Sequence, residues 1–218
     1  MTIIRRDLSL RLLQQPRGVL LGRLFRPEDA KTLIIIPQTG TSLTHVAVHA
    51  GLQARNYALL QLELLTPRES LFPDTAQNVA LLAERLAFVL DFAQDDGDTE
   101  GLAIGLFAPP LVTPAAIRAA ARRDQEVGAI VAAGGFIDRA GREYLDAFAA
   151  PLLVLLAVDD TGTAAATRRA FELLRAPHEL RLAEPHEVVT ETITWFERWL
   201  PPPAEPEPEP EPEQSGSA

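Results

Sequence analysis

His45 and His49 stand four residues apart, the spacing that lays two imidazoles on one face of a helix and suits a shared metal ion. No third ligand and no glutamate base accompany them in the H-E-x-x-H manner, so they read as surface or partly packed histidines and no metal site is expected. Just before them, Pro37-Gln38-Thr39-Gly40-Thr41-Ser42 runs from an apolar stretch into a helix N-terminus, where backbone amides suit a carboxylate or a phosphate. The loop lacks the G-x-x-x-x-G-K-[ST] pattern and any lysine, which excludes P-loop nucleotide hydrolysis. Gln38, Thr39, Gly40, Thr41 and Ser42 are its candidate ligand-binding residues. Trp195 and Trp199, spaced i, i+4, read as a packing pair on a helix rather than a ligand platform. The chain has no cysteine, so disulfides, zinc knuckles, iron–sulfur clusters and thiol nucleophiles are all excluded.

These residues hang on alternating elements. Ile3 to Leu13 and Gly18 to Phe25 read as two exposed strands around a Gln-Pro turn, and Thr32 to Ile36 as a buried one. A short helix follows with Leu43, Val46, Ala47 and Ala50 as its apolar face, then a strand at Tyr57 to Leu64. A helix from Thr75 to Gln94 carries Val79, Leu82, Ala83, Leu86, Val89, Leu90 and Ala93 on one stripe. The acidic run Asp95 to Glu100 ends it and reads as a solvated connection.

Strands are then expected at Leu102 to Phe107, Val127 to Ala133, Leu152 to Val158 and Glu179 to Ala183. Helices are expected at Pro114 to Arg123, within Arg139 to Phe148, at Thr163 to Leu174 and at Glu187 to Leu200. In the last helix Val189, Ile193, Phe196 and Leu200 face inward. Such alternation requires crossover connections and a mostly parallel sheet with helices on both faces. Ligands in such sheets sit at the loops after strand C-termini.

The chain has 218 residues, of which 47% are hydrophobic, enough for one domain with a substantial core. Residues 201–218 hold seven prolines and five glutamates, so residues 1–200 carry a net charge of −5 against −10 for the whole chain. The division expected is a folded domain over 1–200 and a disordered Glu/Pro-rich tail over 201–218, extended as polyproline II. Scattered arginines on a mildly acidic body argue against a nucleic-acid partner. No apolar stretch reaches the ~20 residues of a membrane span, and the N-terminal residues lack a signal-peptide h-region. A cytoplasmic location is expected, with no membrane partner and no cofactor, and with a homodimer left open.

The antiparallel start, the buried strand followed by a Gly-Thr-Ser loop, and the repeated strand-helix units resemble the α/β-hydrolase fold, and within it the small dienelactone-hydrolase-like branch. The matching residues are Gly18-Val19-Leu20-Leu21-Gly22-Arg23-Leu24, Leu62-Glu63-Leu64-Leu65-Thr66-Pro67, Leu81-Leu82-Ala83-Glu84-Arg85-Leu86, Ile104-Gly105-Leu106-Phe107, Gly134-Gly135, Pro151-Leu152-Leu153 and His186. The resemblance covers nearly the whole body, Ile3 to Leu200. The resemblance implies an α/β fold with a mostly parallel central sheet, an antiparallel start, and a nucleophile, an acid and a histidine in that order.

Here the pattern departs. Where the family has G-x-S-x-G, this chain reads Gly105-Leu106-Phe107-Ala108-Pro109-Pro110-Leu111-Val112-Thr113, and the nucleophile position falls at Pro110. Proline has no nucleophilic atom and locks φ near ~−65°, whereas the elbow needs a positive φ. The family's oxyanion loop often begins His-Gly, and Pro37-Gln38 stands there instead. The acid position falls at Asp159 or Asp160 and the histidine at His186, a relict acid/base pair. Leu111, beside Pro110, joins the ligand-binding candidates.

Three functions follow as expectations. The first is a catalytically degenerate hydrolase fold that binds a small molecule or a protein. The second is an active ester or lactone hydrolase using Asp159 or Asp160, His186 and a recruited hydroxyl (Thr113 or Ser42) or water. The third is an assembly subunit that makes contact through the Glu-Pro tail.

Overall fold

The alternation of the first two strands produces a hairpin whose unbroken antiparallel register runs from Ile3↔Pro27 to Leu12↔Gly18, pairing β1 (Ile3–Leu12) with β2 (Gly18–Pro27). The computed structural model describes residues 3–12, 18–40, 43–123 and 126–202. β2 pairs antiparallel with β4 (Ala58–Glu63). From there every pairing is parallel, through β3 (Thr32–Gln38), β5 (Ala103–Ala108), β6 (Val127–Ala133), β7 (Leu152–Leu156) and β8 (His178–Leu182). The eight-stranded order is β1-β2-β4-β3-β5-β6-β7-β8.

Among the described residues six α-helices cover the sheet: α1 (Leu43–Gln53), α2 (Val79–Asp95), α3 (Thr113–Ala121), α4 (Arg142–Ala147), α5 (Thr161–Phe171) and α6 (Val188–Trp199). All residues of β3 and β7 are buried. Because side chains alternate along a strand, the two faces of the sheet feed two separate cores. Leu33 and Ile35 pack with α2 and α3, whereas Ile34 and Ile36 pack with α1 and α6.

Three expectations need correction. The buried side of α1 carries His45, Val48 and Leu52, while Val46, Ala47 and Ala50 face outward. Contact with α6 sets this rotation: a Cβ on Gly51 would come within 2.4 Å of Val189 Cγ1, so α1 lies where only glycine permits the approach. α2 begins at Val79 instead of Thr75. Residues Pro73–Gln77 form a 3₁₀ turn, and Asn78 caps the helix by accepting a 3.1 Å hydrogen bond from the Leu81 amide. The acidic run is not simply solvated: Asp96 and Asp98 clamp Arg6 of β1 at 2.6 and 2.8 Å.

The stripe of α2 is as expected, with one addition. Arg85 sits among its leucines and is 3% exposed. Its guanidinium donates to the Leu64 carbonyl at 2.6 Å and to both carboxylate oxygens of Glu69 at 2.7 and 2.5 Å. Glu69 in turn accepts from the Thr66 amide and hydroxyl at 2.9 and 2.7 Å. This pair ties the segment after β4 to α2. At the other end of the sheet, Thr32 donates to the Pro201 carbonyl at 2.9 Å, fixing the chain as it leaves α6. Residues 203–218, which hold nearly all of the Glu-Pro tail, lie outside the described residues. No helix among the described residues is long and apolar enough to cross a membrane.

Candidate functional site

The strand-to-helix turn at the end of β5 decides what chemistry the C-terminal edge of the sheet can support. The Pro109 carbonyl accepts hydrogen bonds from the Val112 and Thr113 amides, each at 2.9 Å, and Val112 is helical at φ −93°. Among the described non-glycine residues only Asn56, far away in the α1–β4 turn, has a positive φ. The turn at Pro110 is thus an ordinary helical entry and not the strained form that lifts a nucleophile out of the backbone.

The loop after β6 closes onto this turn. Gly134 and Gly135 have φ of 97° and 90°, and a Cβ on Gly135 would fall 2.3 Å from the Pro110 carbonyl oxygen. Thr113, 1% exposed, donates its hydroxyl to the Gly134 carbonyl at 2.9 Å, with longer contacts to the Pro109 and Ala108 carbonyls. The hydroxyl that sequence offered as a recruited nucleophile therefore staples the two loops together.

The two aspartates part company. Asp160 caps α5, accepting from the Thr163 amide at 3.0 Å, while Asp159 is exposed. His186 is also exposed, in a turn held by hydrogen bonds between Glu184 and Glu187. Among the described residues no hydrogen bond or ion pair links His186 to either aspartate.

A cleft of about 510 Å³ opens above Pro110 at the C-terminal ends of β5, β6, β7 and β8. Pro110, Leu111 and Asp160 line it, so three of the candidate positions meet there. Sequence reasoning missed Phe136, Arg139, Thr163 and Val188, which line it too. The signal for the first two was their place just after Gly134-Gly135 in a strand-terminal loop.

Gln38 belongs elsewhere. It is 2% exposed, accepts from the Gln61 side-chain amide at 3.1 Å, and with Glu63 lines a separate cleft beside β1 and β2. Burial raises the Glu63 pKa, an effect the Gly40 backbone amide partly offsets. Thr39 is half-buried and Gly40 exposed, while Thr41 and Ser42 lie outside the described residues.

His45 packs edge-on against Phe107, with ring centroids 6.2 Å apart, and burial lowers the pKa of both His45 and His49. Among the described residues no three His, Cys, Asp or Glu side chains gather where they could hold a metal ion.

The fold has close counterparts. A dienelactone hydrolase from Anabaena variabilis superposes with a TM-score of 0.82 at 25% identity, over 91% of this chain and 99% of that one. The chain has the α/β-hydrolase fold, in the form found in the dienelactone-hydrolase-like branch. A dienelactone-hydrolase-like promiscuous phosphotriesterase from metagenomic libraries has a TM-score of 0.69 at 12% identity, over 91% and 99% of the two chains. An esterase from Pyrococcus furiosus gives 0.69 at 12%, over 91% and 92%. These two likenesses concern the fold alone.

No protein-family model matches this hydrolase-fold chain. Two proteins from strains of Mycobacterium tuberculosis, provisionally named phosphoribosyl transferases, are 30% identical over 153 residues. The match takes in 68% of this chain, which spans about a third of the length of those relatives, 34%.

Proposed function

We propose that this chain binds a small apolar molecule non-covalently in the cleft above Pro110 and has given up the covalent chemistry of its branch. Pro110 carries this reading, because the nucleophile position holds a residue with no nucleophilic atom in a turn of ordinary backbone conformation. The buried Thr113 hydroxyl, committed to the Gly134 carbonyl, supports it as well. So does the cleft, whose volume falls in the ~300–1,000 Å³ range of small-molecule sites and whose walls are mostly apolar. Most of the length of the mycobacterial relatives lies outside the match, so their transferase name does not bear on this cleft.

A second reading, hydrolysis of an ester or lactone by His186 with Asp159 or Asp160, draws on the hydrolase and esterase names of the structural neighbours. The test is turnover of short-chain activated esters and lactones, with His186→Ala as the control. The non-covalent reading expects both proteins to give the same background rate. Turnover that vanishes in the variant would establish the hydrolase reading instead.

A further inference from the structure

We infer that the cleft above Pro110 selects an apolar molecule with one negatively charged head group, which Arg139 and Thr163 receive. This rests on the non-covalent binding proposed above and adds the chemical class of the ligand. Leu111, Phe136, Leu155 and Val188 give the cleft apolar walls, and Leu111 and Phe136 remain 44% and 48% exposed at its mouth. Apolar side chains left in water beside a concave surface gain by covering an apolar ligand.

Two ionisable residues line the cleft, Arg139 and Asp160, and they are not equally available. The Asp160 carboxylate accepts the Thr163 amide at 3.0 Å and sits at the positive end of the α5 dipole, so its charge is already compensated. The Arg139 guanidinium makes no hydrogen bond or ion pair among the described residues, and neighbouring Asp138 is not bonded to it.

The Arg139 backbone is nevertheless held firmly. Its amide donates to the Phe136 carbonyl at 3.2 Å, and Arg118 donates to the Ala140 carbonyl at 2.7 Å. An anchored arginine whose fork is unpaired among the described residues, beside apolar walls, is a receptor for a carboxylate, because its planar donors can form a bidentate charge-assisted pair.

Thr163 supplies the second donor. It is 6% exposed, lines the same cleft, and its hydroxyl makes no hydrogen bond among the described residues. The hydroxyl oxygen keeps contact with the solvent of the cleft, so the head group of a ligand can reach it. A cationic head group would meet Arg139 as a like charge, and a neutral one would leave the guanidinium unused.

Calorimetric titration of the full chain with octanoate, octanol and octylamine tests this. Octanoate is expected to bind at least about tenfold more tightly than octanol, the effect of one charge-assisted hydrogen bond, with octylamine the weakest. Arg139→Gln, a change at an exposed side chain, should bring octanoate down to the octanol level and leave octanol unchanged. Leu111→Asp should weaken both octanoate and octanol. Equal binding of octanoate and octanol, or an Arg139→Gln variant that keeps the preference, overturns the head-group assignment while apolar binding stands. Unaltered binding in Leu111→Asp overturns the cleft as the site, and no binding of any of the three overturns both this inference and the reading beneath it.

Discussion

Gly135 and Pro110 touch so closely that no side chain fits between them: a Cβ on Gly135 would lie 2.3 Å from the Pro110 carbonyl oxygen. Two loops from neighbouring strands are thereby locked together where the family holds its nucleophile. Gly135→Ala is expected to destabilise the fold by about 2 kcal/mol or more, since it adds a clash with backbone at a φ of 90° that L side chains rarely adopt. Gly162→Ala, where an added Cβ meets nothing within 4 Å, should be neutral or stabilising by up to about 1 kcal/mol. Urea unfolding of both variants separates backbone collision from a general intolerance of alanine.

The same contact limits how far catalysis can be restored. Pro110→Ser introduces a hydroxyl, yet the turn keeps its helical entry, and the Thr113 bond to Gly134 still ties it down. Ester hydrolysis by Pro110→Ser should remain at the background rate. Robust turnover by that single variant would show that the backbone adopts the strained elbow once proline is gone.

The Arg85–Glu69 pair makes stability depend on acid. Hydrogen bonding from Arg85 comes first among the causes, and it lowers the Glu69 pKa from its usual 4.5 to about 2. A carboxylate with a depressed folded-state pKa contributes stability that is fully present above 4.5 and is lost as pH falls toward about 2. Because Glu69 is mostly buried, that contribution is of the order of 3 kcal/mol. Glu69→Gln should be less stable than the parent at pH 7, where it leaves Arg85 buried without its counter-charge. It should also lose the part of the parent's stability change between pH 5 and pH 2 that Glu69 carries, leaving the part carried by Glu179, whose pKa hydrogen bonding from Arg181 lowers as well. Urea unfolding across that range measures both.

Asp159 and Asp160 can be told apart by stability alone. Asp160 accepts the Thr163 amide at the start of α5, so Asp160→Ala should cost about 1 kcal/mol of helix-cap stability. Asp159 is exposed and its side chain bonds to none of the described residues, so Asp159→Ala should lie within about 0.5 kcal/mol of the parent. Thermal melts of the two variants are sufficient.

The sheet class, the strands and the covering helices were legible in the chain because they follow from local periodicity, whereas the order of the strands was not. The stripe from Leu82 to Ala93 and the apolar run from Leu33 to Ile36 state which faces are buried, and neighbouring elements only have to agree. That Pro110 carries no nucleophilic atom was legible for a similar reason, since proline cannot attack a carbonyl in any fold.

Other features depended on which residues meet across long distances in the chain. The rotation of α1 came from Gly51 against Val189, partners with no sequence signature, and Arg85 was buried only because Glu69 and the Leu64 carbonyl await it. The candidate loop residues separated in the same way. Gln38 went to Gln61 and a second cleft, while Leu111 and Asp160 joined Arg139 above Pro110. Residue types by themselves determined that the turn after β5 holds Pro109 and Pro110 and no serine or cysteine, whereas the convergence of four strand ends decided what the cleft encloses, because a cleft is made of side chains that periodicity cannot bring together.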